Sequence, residues 1–554
     1  MRKPVGNPSG KLFNIDLIGI GRLALAIVFL FAIYIFMTAN PAGTGVNSTL
    51  LVIAGVIGGY MALNIGANDV ANNVGPAVGA GALTLLGAIL IAVIFEAGGA
   101  LIAGGDVVNT IKKGIIDPQA IKEVSHQING QSIVLISKTQ TFIYVMTAAL
   151  LSAAVWLNIA TYSGAPVSTT HSIIGGVLGA GIAAGGWGIA DWGQVQKIVA
   201  SWVISPAMGG VIAAAFLYAI KRSVLYQTDM KKAAVTVVPF FMGVMAWAFT
   251  TYLILKGLKR VEFVKDHIDF PKAVIIGAIA AIVVVFLVSM ILKRRADRIE
   301  NAREDIDSLF TIPLIVGAAF LSFAHGANDV ANAVGPLAAI TDMISQTGAN
   351  GGEAGEFAKK VSIPLWVMMI GAIGIAFGLA LYGPKLIKTV GNEITELDKV
   401  RAFCVALAAA ITVIIASHLG LPVSSTHIAV GGIFGVGFLR EHLTTNYNHK
   451  VDKIRNHMRD MEQKDKATID AFIEEFDAAS LPKKKMILQD LKQQARADEI
   501  SWWERRRVKK AYKAKLVERS MLLKIVAAWV FTVPIAGLMS AAIFYMIRGF
   551  LMVT

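Results

Sequence analysis

Two short polar motifs, each present twice, contain the residues of this sequence that are best suited to chemistry. The copies are residues 66–76 with 326–336, and residues 166–171 with 422–427, and the members of each pair differ at one position. Asn68 precedes Ser168 by 100 residues, and Asn328 precedes Ser424 by 96 residues. Because both order and spacing are kept, we interpret the chain as a duplication whose halves supply equivalent side chains.

The first motif places carboxylate and amide groups within an apolar segment, where a carboxylate is costly and usually functional. Asn68 and Asn72 lie one helical turn apart and share a face. Carboxylate, amide and carbonyl oxygens suit sodium, whereas a buried Asp alone would serve a proton. The neighbouring glycines, with Pro76 and Pro336, predict a helix that unwinds and turns its carbonyls toward a cation. The predicted cation ligands are Asn68, Asp69, Asn328 and Asp329. The alternative is a polar contact that only joins two helices.

The second motif has consecutive hydroxyl residues followed by a histidine, and it opens a glycine-rich helix. A helix N-terminus offers unpaired N–H groups and a positive dipole end, and the hydroxyls add donors, so the motif predicts a site for a tetrahedral oxyanion. Ordinary N-capping is the alternative, although one hydroxyl is enough for a cap. For His171 and His427 we predict a capping or supporting role, because no second His or Cys stands at metal-ligand spacing.

An intramembrane hydrolase is a further alternative, because Asp69, Ser168 and His171 could form a catalytic triad. The duplication argues against a triad, since hydrolysis needs one nucleophile and one oriented base. A transporter built from paired repeats instead needs matching half-sites that meet in the middle of the membrane. We therefore predict no catalytic residues.

Composition identifies the environment of these motifs. The residues are 55% hydrophobic and 16% charged, and the apolar residues form long runs, which indicates a membrane protein. The single cysteine, Cys404, excludes a disulfide framework. The net charge of +14 is interpreted as loop charge that orients spans and meets anionic lipid, and not as a nucleic-acid surface.

The predicted fold is an all-α polytopic membrane protein with about 12 transmembrane segments in two inverted-topology repeats. The apolar segments after His171 and His427 are too short to cross and predict half-helices of re-entrant hairpins. The predicted divisions are an extra N-terminal segment (1–45), the first repeat (46–225), connecting spans with a basic linker (226–305), the first part of the second repeat (306–440), a soluble helical cytoplasmic insert (441–520) and a final segment completing the second repeat (521–554). The insert could instead make the protein a sensor.

The duplicated motifs, with residues 95–100 and 110–114, resemble the inorganic phosphate transporter family called PiT. The resemblance covers nearly all of residues 50–440 and 522–547. It implies secondary active import of inorganic phosphate by symport with sodium or protons, through inverted repeats and alternating access. Some relatives carry sulfate, which is the alternative substrate.

The resemblance also assigns roles to residues of this chain. It implies phosphate binding by Ser168, Thr169, Thr170, Ser424, Ser425, Thr426, Asn72 and Asn332. It implies cation coupling by Asn68, Asp69, Asn328, Asp329 and Glu96. Ala406 departs from the family pattern, which often has Glu or Gln there, so one cation site could be altered. We expect no cofactor. We expect a multi-pass protein of the cell membrane (the inner membrane in a Gram-negative source) that contacts membrane lipid. A homodimer is one option for its assembly.

Overall fold

The computed structural model describes residues 17–40, 46–128, 131–163, 167–258, 262–296, 300–349, 363–393, 397–460 and 519–553. Its helices are α1 Leu17–Ala39, α2 Val46–Gly79, α3 Leu85–Ala103, α4 Gly105–Lys113, α5 Lys138–Ser163, α6 Thr169–Gly185, α7 Trp192–Ile220, α8 Met230–Tyr252, α9 Glu262–His267, α10 Phe270–Ala296, α11 Arg303–Ser308, α12 Thr311–Ala349, α13 Leu365–Glu393, α14 Lys399–His418, α15 Ser425–Asp460 and α16 Arg519–Val553. Two antiparallel strands, β1 Val124–Ile128 and β2 Gln131–Ile136, interrupt this nearly all-helical chain.

Eleven helices in the described part of the chain are long and apolar enough to cross a membrane. The prediction of a multi-pass membrane protein is therefore confirmed. Helix α6 has 17 residues, about 26 Å at the α-helical rise, and is too short for a span of about 30 Å. The extra N-terminal segment is present as α1, which packs against α2 and α13.

The two halves exchange helix contacts in a reciprocal pattern. Helix α2 packs along α13 of the second half, and α12 packs along α3 of the first half. In the same way α6 packs against α16, while α15 packs against α7. Each copy of a motif is consequently held by helices from both halves. The opposite orientation of the two repeats in a membrane stays a prediction.

The helices do not unwind at the first motif. Helices α2 and α12 run through both copies without interruption, with Pro76 and Pro336 inside them. The prediction of an unwound segment was therefore wrong. The glycines serve close packing instead, because a Cβ on Gly66 would strike the carbonyl oxygen of Ile375, and one on Gly326 would strike that of Glu96.

Replacing Gly326 by Ala is expected to destabilise the protein by about 1–3 kcal/mol, the usual cost of overpacking a tight contact. The new methyl group would collide with the backbone of α3, which cannot move as a flexible side chain can. The measurement is the Tm of the purified variant in detergent. Gly21→Ala is the matched control, because no heavy atom lies within 4 Å of its Cβ position. Equal Tm values for wild type and Gly326→Ala would contradict this packing role.

The second half departs from the predicted boundaries at one further place. Helix α15 begins at the second hydroxyl motif and continues as one helix to Asp460, beyond the end predicted at residue 440. The predicted half-helix is thus the first part of a longer helix, which continues past the apolar segment into the polar residues after 440. The rest of the predicted insert, residues 461–518, lies outside the described residues. The β1–β2 hairpin was not predicted.

Candidate functional site

The first hydroxyl of each second motif caps a helix. The Ser168 Oγ accepts the backbone N–H of His171 at 3.1 Å at the start of α6. The Ser424 Oγ accepts the backbone N–H of His427 at 3.2 Å at the start of α15. Both serines are buried. The capping alternative therefore holds for these two oxygens, while phosphate binding through their O–H groups stays a prediction.

Two substitutions at Ser424 separate these roles. If the hydroxyl only caps α15, Ser424→Ala should lower the free energy of unfolding by about 1 kcal/mol and Ser424→Gly by only a few tenths. If it also donates to bound anion, both variants should weaken phosphate binding by about 1–3 kcal/mol, because a donor to a charged group is lost. Calorimetry with phosphate and a denaturant or thermal melt measure the two effects. Phosphate affinity equal to wild type in both variants would leave Ser424 as a cap alone.

The second hydroxyl of each motif contacts a motif carboxylate of its own half. In the first half, Thr169 Oγ1 donates to Asp69 Oδ2 at 3.0 Å. In the second half, Ser425 Oγ donates to Asp329 Oδ2 at 2.8 Å. These are equivalent positions of the two copies. The predicted anion motif and the predicted cation motif are therefore in direct contact within each half.

A second set of contacts joins the halves. The Thr426 Oγ1 donates to Asp69 Oδ1 at 2.9 Å and accepts from Asn72 Nδ2 at 2.9 Å. At the equivalent position, Asn332 Nδ2 donates to Thr170 Oγ1 at 3.1 Å. The carboxylate of Asp69 thus accepts one hydroxyl from each half. The structure brings these predicted residues together as one buried cluster.

The first asparagine of each motif has a different neighbour. Asn68 Nδ2 donates to Thr161 Oγ1 at the end of α5, and Asn328 Nδ2 donates to Ser417 Oγ at the end of α14, both at 3.0 Å. Thr161 and Ser417 were missed, although each stands seven residues before the first serine of its hydroxyl motif. These contacts tie each motif helix to the hairpin that leads into α6 or α15. A cation-ligand role for Asn68 and Asn328 stays a prediction.

A buried histidine forms the centre of the carboxylate group. His325 Nε2 lies 2.7 Å from Asp329 Oδ2 and 3.7 Å from Asp69 Oδ2, while its Nδ1 lies 3.4 Å from Glu96 Oε2. Asn73 Nδ2 donates to the other oxygen of Glu96 at 2.8 Å. Ligand atoms of Asp69, His325 and Asp329 lie within 4.8 Å of one another, close enough to hold one cation. His325 was missed because it has no counterpart among the repeated positions.

Within the described residues, the equivalent positions of the other half-site do not form a second histidine cluster. The position of His325 is occupied by Ile65 in the first motif, and that of Asn73 by Ala333 in the second. The glycine contacts identify Ile375 as the counterpart of Glu96, since Gly66 abuts Ile375 as Gly326 abuts Glu96. The polar residues of one half-site therefore correspond to apolar residues of the other: His325 to Ile65, Asn73 to Ala333, and Glu96 to Ile375. The two half-sites have different chemistry despite the duplicated motifs.

The motif histidines lie at a third place, between two tryptophans. The rings of His171 and His427 meet edge to face with centroids 4.6 Å apart. His171 lies 3.8 Å from the ring of Trp202, and His427 stacks on Trp529 at 3.6 Å. The imidazole of His171 contacts aromatic rings here and not Asp69, while Ser168 contacts its backbone N–H. Asp69, His171 and Ser168 therefore do not form the chain of side-chain hydrogen bonds that a catalytic triad requires.

Among the described residues, no lysine or arginine pairs with Asp69, Asp329 or Glu96; the side chain that can carry a positive charge beside them is His325. A buried group with three carboxylates and one imidazole favours an added positive charge, because buried charges require partners. Ala406 lies in the apolar core beside Phe403 and Gly317. Any change that Ala406 makes to a cation site stays a prediction.

The helices and the buried polar centre together define a multi-pass membrane protein with a polar core. A family model described as "Phosphate transporter family" matches residues 65–540. The chain belongs to the phosphate transporter family. The resemblance noted from its motifs is thereby confirmed.

Individual relatives agree with this assignment. The chain is 48% identical over 536 residues to a protein of Helicobacter pylori strain J99 named "Putative phosphate permease", with 94% of both chains covered. A phosphate permease from Pyrococcus horikoshii, also named as putative, is 40% identical over 390 residues, covering 70% of this chain and 89% of the relative. A solved structure named "The sodium-dependent phosphate transporter" matches with a TM-score of 0.68 and 30% identity, covering 90% of this chain and 99% of that one.

Proposed function

We propose that this protein imports inorganic phosphate by symport with sodium, through alternating access of a site shared by its two halves. The single observation that carries the proposal is the contact of the Asp69 carboxylate with Thr169 and Thr426, one hydroxyl from each half. These hydroxyls belong to the segments suited to an oxyanion. The carboxylate belongs to the segment suited to a cation.

This contact supplies a coupling mechanism. In the arrangement described, the hydroxyl protons of Thr169, Thr426 and Ser425 are directed at Asp69 and Asp329. A negative phosphate would meet uncompensated carboxylates and hydroxyls whose donors are already engaged. A sodium ion at the carboxylates offsets their charge and competes for their oxygens, which frees the hydroxyls to turn toward phosphate. Cation binding therefore prepares the anion site, as symport requires.

Sodium is favoured as the coupling ion because the solved relative is named a sodium-dependent transporter. One observation favours protons as a second candidate. His325 stands among Asp69, Asp329 and Glu96, and histidine is the side chain whose charge changes most readily near neutral pH. A proton bound at this cluster would offset the same carboxylates.

Uptake of radiolabelled phosphate into proteoliposomes tests the proposal, with sodium and proton gradients imposed separately. We expect uptake that requires an inward sodium gradient and is lost when choline replaces sodium. Uptake driven by an inward proton gradient without sodium would select the second candidate. Excess unlabelled sulfate should leave the uptake intact, whereas competition equal to that of unlabelled phosphate would favour sulfate as a substrate. Absence of uptake under both gradients would contradict symport.

A further inference from the structure

A cavity of about 550 Å³ lies between α8, α10 and the start of α12, away from the polar centre. Its wall includes the buried aliphatic side chains of Met242, Leu292 and Leu309. Two other lining residues, Ile291 and Ile312, are 45% and 51% exposed. The cavity therefore opens sideways onto the outer surface of the helices, where acyl chains surround a membrane protein. Its volume is within the range of ligand pockets, about 300–1,000 Å³.

Basic residues from four helical segments gather near one end of the cavity, where Ser308 at the end of α11 lines it. Lys221 follows directly on α7, and it lies within electrostatic range of the guanidinium groups of Arg303, Arg401 and Arg440. Arg303 is the first residue of α11, whose last residue, Ser308, lines the cavity. Arg303 is thus one short helix away from the apolar wall, and the short segment that begins at Lys221 packs against α8, which also lines the cavity.

The two other cavity helices also carry cations at this end. On α10, the exposed residues Lys293 and Arg294 follow Leu292 of the cavity wall. On α8, Lys232 lies in the first turn, and Val238 of the cavity wall follows two turns later. A headgroup at the mouth of the cavity would therefore meet basic side chains on more than one side.

Several acidic residues of this end are occupied by helix caps. Asp398 accepts the backbone N–H of Arg401 at 2.9 Å, and its carboxylate also lies 3.2 Å from the Arg401 guanidinium and 3.8 Å from that of Arg303. Asp307 accepts a backbone N–H at the start of α14, and Asp229 accepts one at the start of α8. Further acids of the same end are Glu300, Glu304 and Asp305. The Arg303 guanidinium is 62% exposed and its contact with Asp398 is long, at 3.8 Å, so it can also reach an anion.

We propose that this cavity binds an anionic phospholipid, with an acyl chain in the cavity and its headgroup phosphate against Lys221 and Arg303. Hydrocarbon and negative charge are both needed to match the two parts of the site. Basic pockets between membrane helices are known to select anionic headgroups by this combination. The bound lipid would fill the space between the connecting helices α8 and α10 and the N-terminal end of α12. The proposal does not depend on the transported substrate.

A second cavity is similar in size but has no basic residue among its lining residues in the described part of the chain. It has a volume of about 650 Å³ and lies between α6, α7 and α16, with Trp187, Trp192 and Tyr545 among its lining residues. A chain bound there would be held by apolar contact alone. The headgroup preference is therefore expected only at the first cavity.

Native mass spectrometry of the purified full-length protein tests the proposal, with phosphatidylglycerol and phosphatidylethanolamine as the two lipid probes. We expect wild type to retain one phosphatidylglycerol that phosphatidylethanolamine of equal chain length does not replace. The double variant Lys221→Gln/Arg303→Gln should lower phosphatidylglycerol affinity by more than tenfold, since each basic residue contributes about fivefold. Ile291→Trp, which blocks the lateral opening, should also prevent retention.

Matched controls keep the test specific. Lys197→Gln removes an exposed lysine of α7 beside the second cavity, and Val199→Trp adds a tryptophan at a lining position of that cavity that is 45% exposed, as Ile291 is. Both should retain the lipid as wild type does. Equal retention of the two lipids by wild type, or unchanged retention by the double variant, would overturn the proposal. Displacement of phosphatidylglycerol by inorganic phosphate would also overturn it, because the basic cluster would then hold a free anion.

Discussion

Replacing Asp69 by asparagine is expected to abolish sodium-driven phosphate uptake while leaving the fold intact. The Asp69 carboxylate accepts hydroxyls of both halves, and Asp329 accepts one from its own half. An amide keeps the shape of the side chain but removes the charge that holds the coupling cation. Asp329→Asn should have the same kind of effect. Each change removes charge-assisted contacts worth about 1.5–3 kcal/mol, or more than tenfold in cation affinity. Proteoliposome uptake as a function of sodium concentration measures the loss.

Asp191→Asn is the matched control for these two variants. Asp191 is exposed and caps α7 by accepting the N–H of Gln194, a task that asparagine performs equally well. Its uptake and sodium dependence should equal those of wild type. If Asp69→Asn and Asp329→Asn both kept wild-type uptake with unchanged dependence on sodium and on pH, the carboxylates would be structural and the coupling mechanism would fail.

The second large effect is expected at the histidine cluster, which is present at one of the two half-sites and contains residues of both halves. His325→Gln removes the group that contacts three carboxylates, and Glu96→Gln removes one of those carboxylates. Deleting His325 leaves its buried carboxylates without that partner, at a cost of about 3–5 kcal/mol, whereas Glu96→Gln removes a negative charge that would help to hold the coupling cation. We therefore expect either change to reduce uptake at least tenfold and to shift the cation dependence. Uptake measured against sodium concentration at several pH values detects both effects.

The chain supplies its own control at the equivalent positions. Ile65→Val and Ile375→Val delete one methyl group each, at about 0.5–1.5 kcal/mol of stability, and should leave the cation dependence unchanged. A larger change of the cation dependence in these two variants than in His325→Gln and Glu96→Gln would show that the apolar half-site carries the coupling.

The sequence was sufficient to predict the membrane class, the family and the repeated motif residues of the polar centre. The duplicated motifs identified Asp69, Asp329 and the hydroxyl residues, and these are in contact in the structure. Because each half contains both motifs in the same order, the sequence also predicted that the two halves would supply matching parts of one site. The reason is physical, because polar side chains in apolar helices must be satisfied by other polar side chains, so the few that are present converge.

Other features depend on packing between distant segments, which a motif comparison does not reveal. In α2 and α12, Gly66 and Gly326 allow close contact with neighbouring helices, and both helices stay continuous. The presence of glycine and proline in the sequence is equally compatible with an unwound helix. The importance of His325 depends on Glu96, which comes from another helix of the other half. A comparison of the two repeats cannot reveal such a histidine, because it is present in only one of them.

The buried ion pair of Lys112 and Asp342 is another feature that the sequence did not indicate. Its two charged atoms lie 2.8 Å apart between α4 and α12. Neither residue belongs to a repeated motif. The same limit applies to the basic cluster near Lys221, since its members come from four separate segments and are ordinary loop and helix-end charges in the sequence.

Reciprocal binding measurements test the central claim most directly, namely that sodium and phosphate share the hydroxyls around Asp69 and Asp329. Phosphate affinity of the purified wild-type protein would be measured by calorimetry at several sodium concentrations, and sodium affinity at several phosphate concentrations. Because coupling free energies between two sites are reciprocal, each ligand should strengthen the other by the same factor, which we expect to be at least tenfold. Phosphate affinity that stayed constant over the full range of sodium concentration and pH would contradict the account.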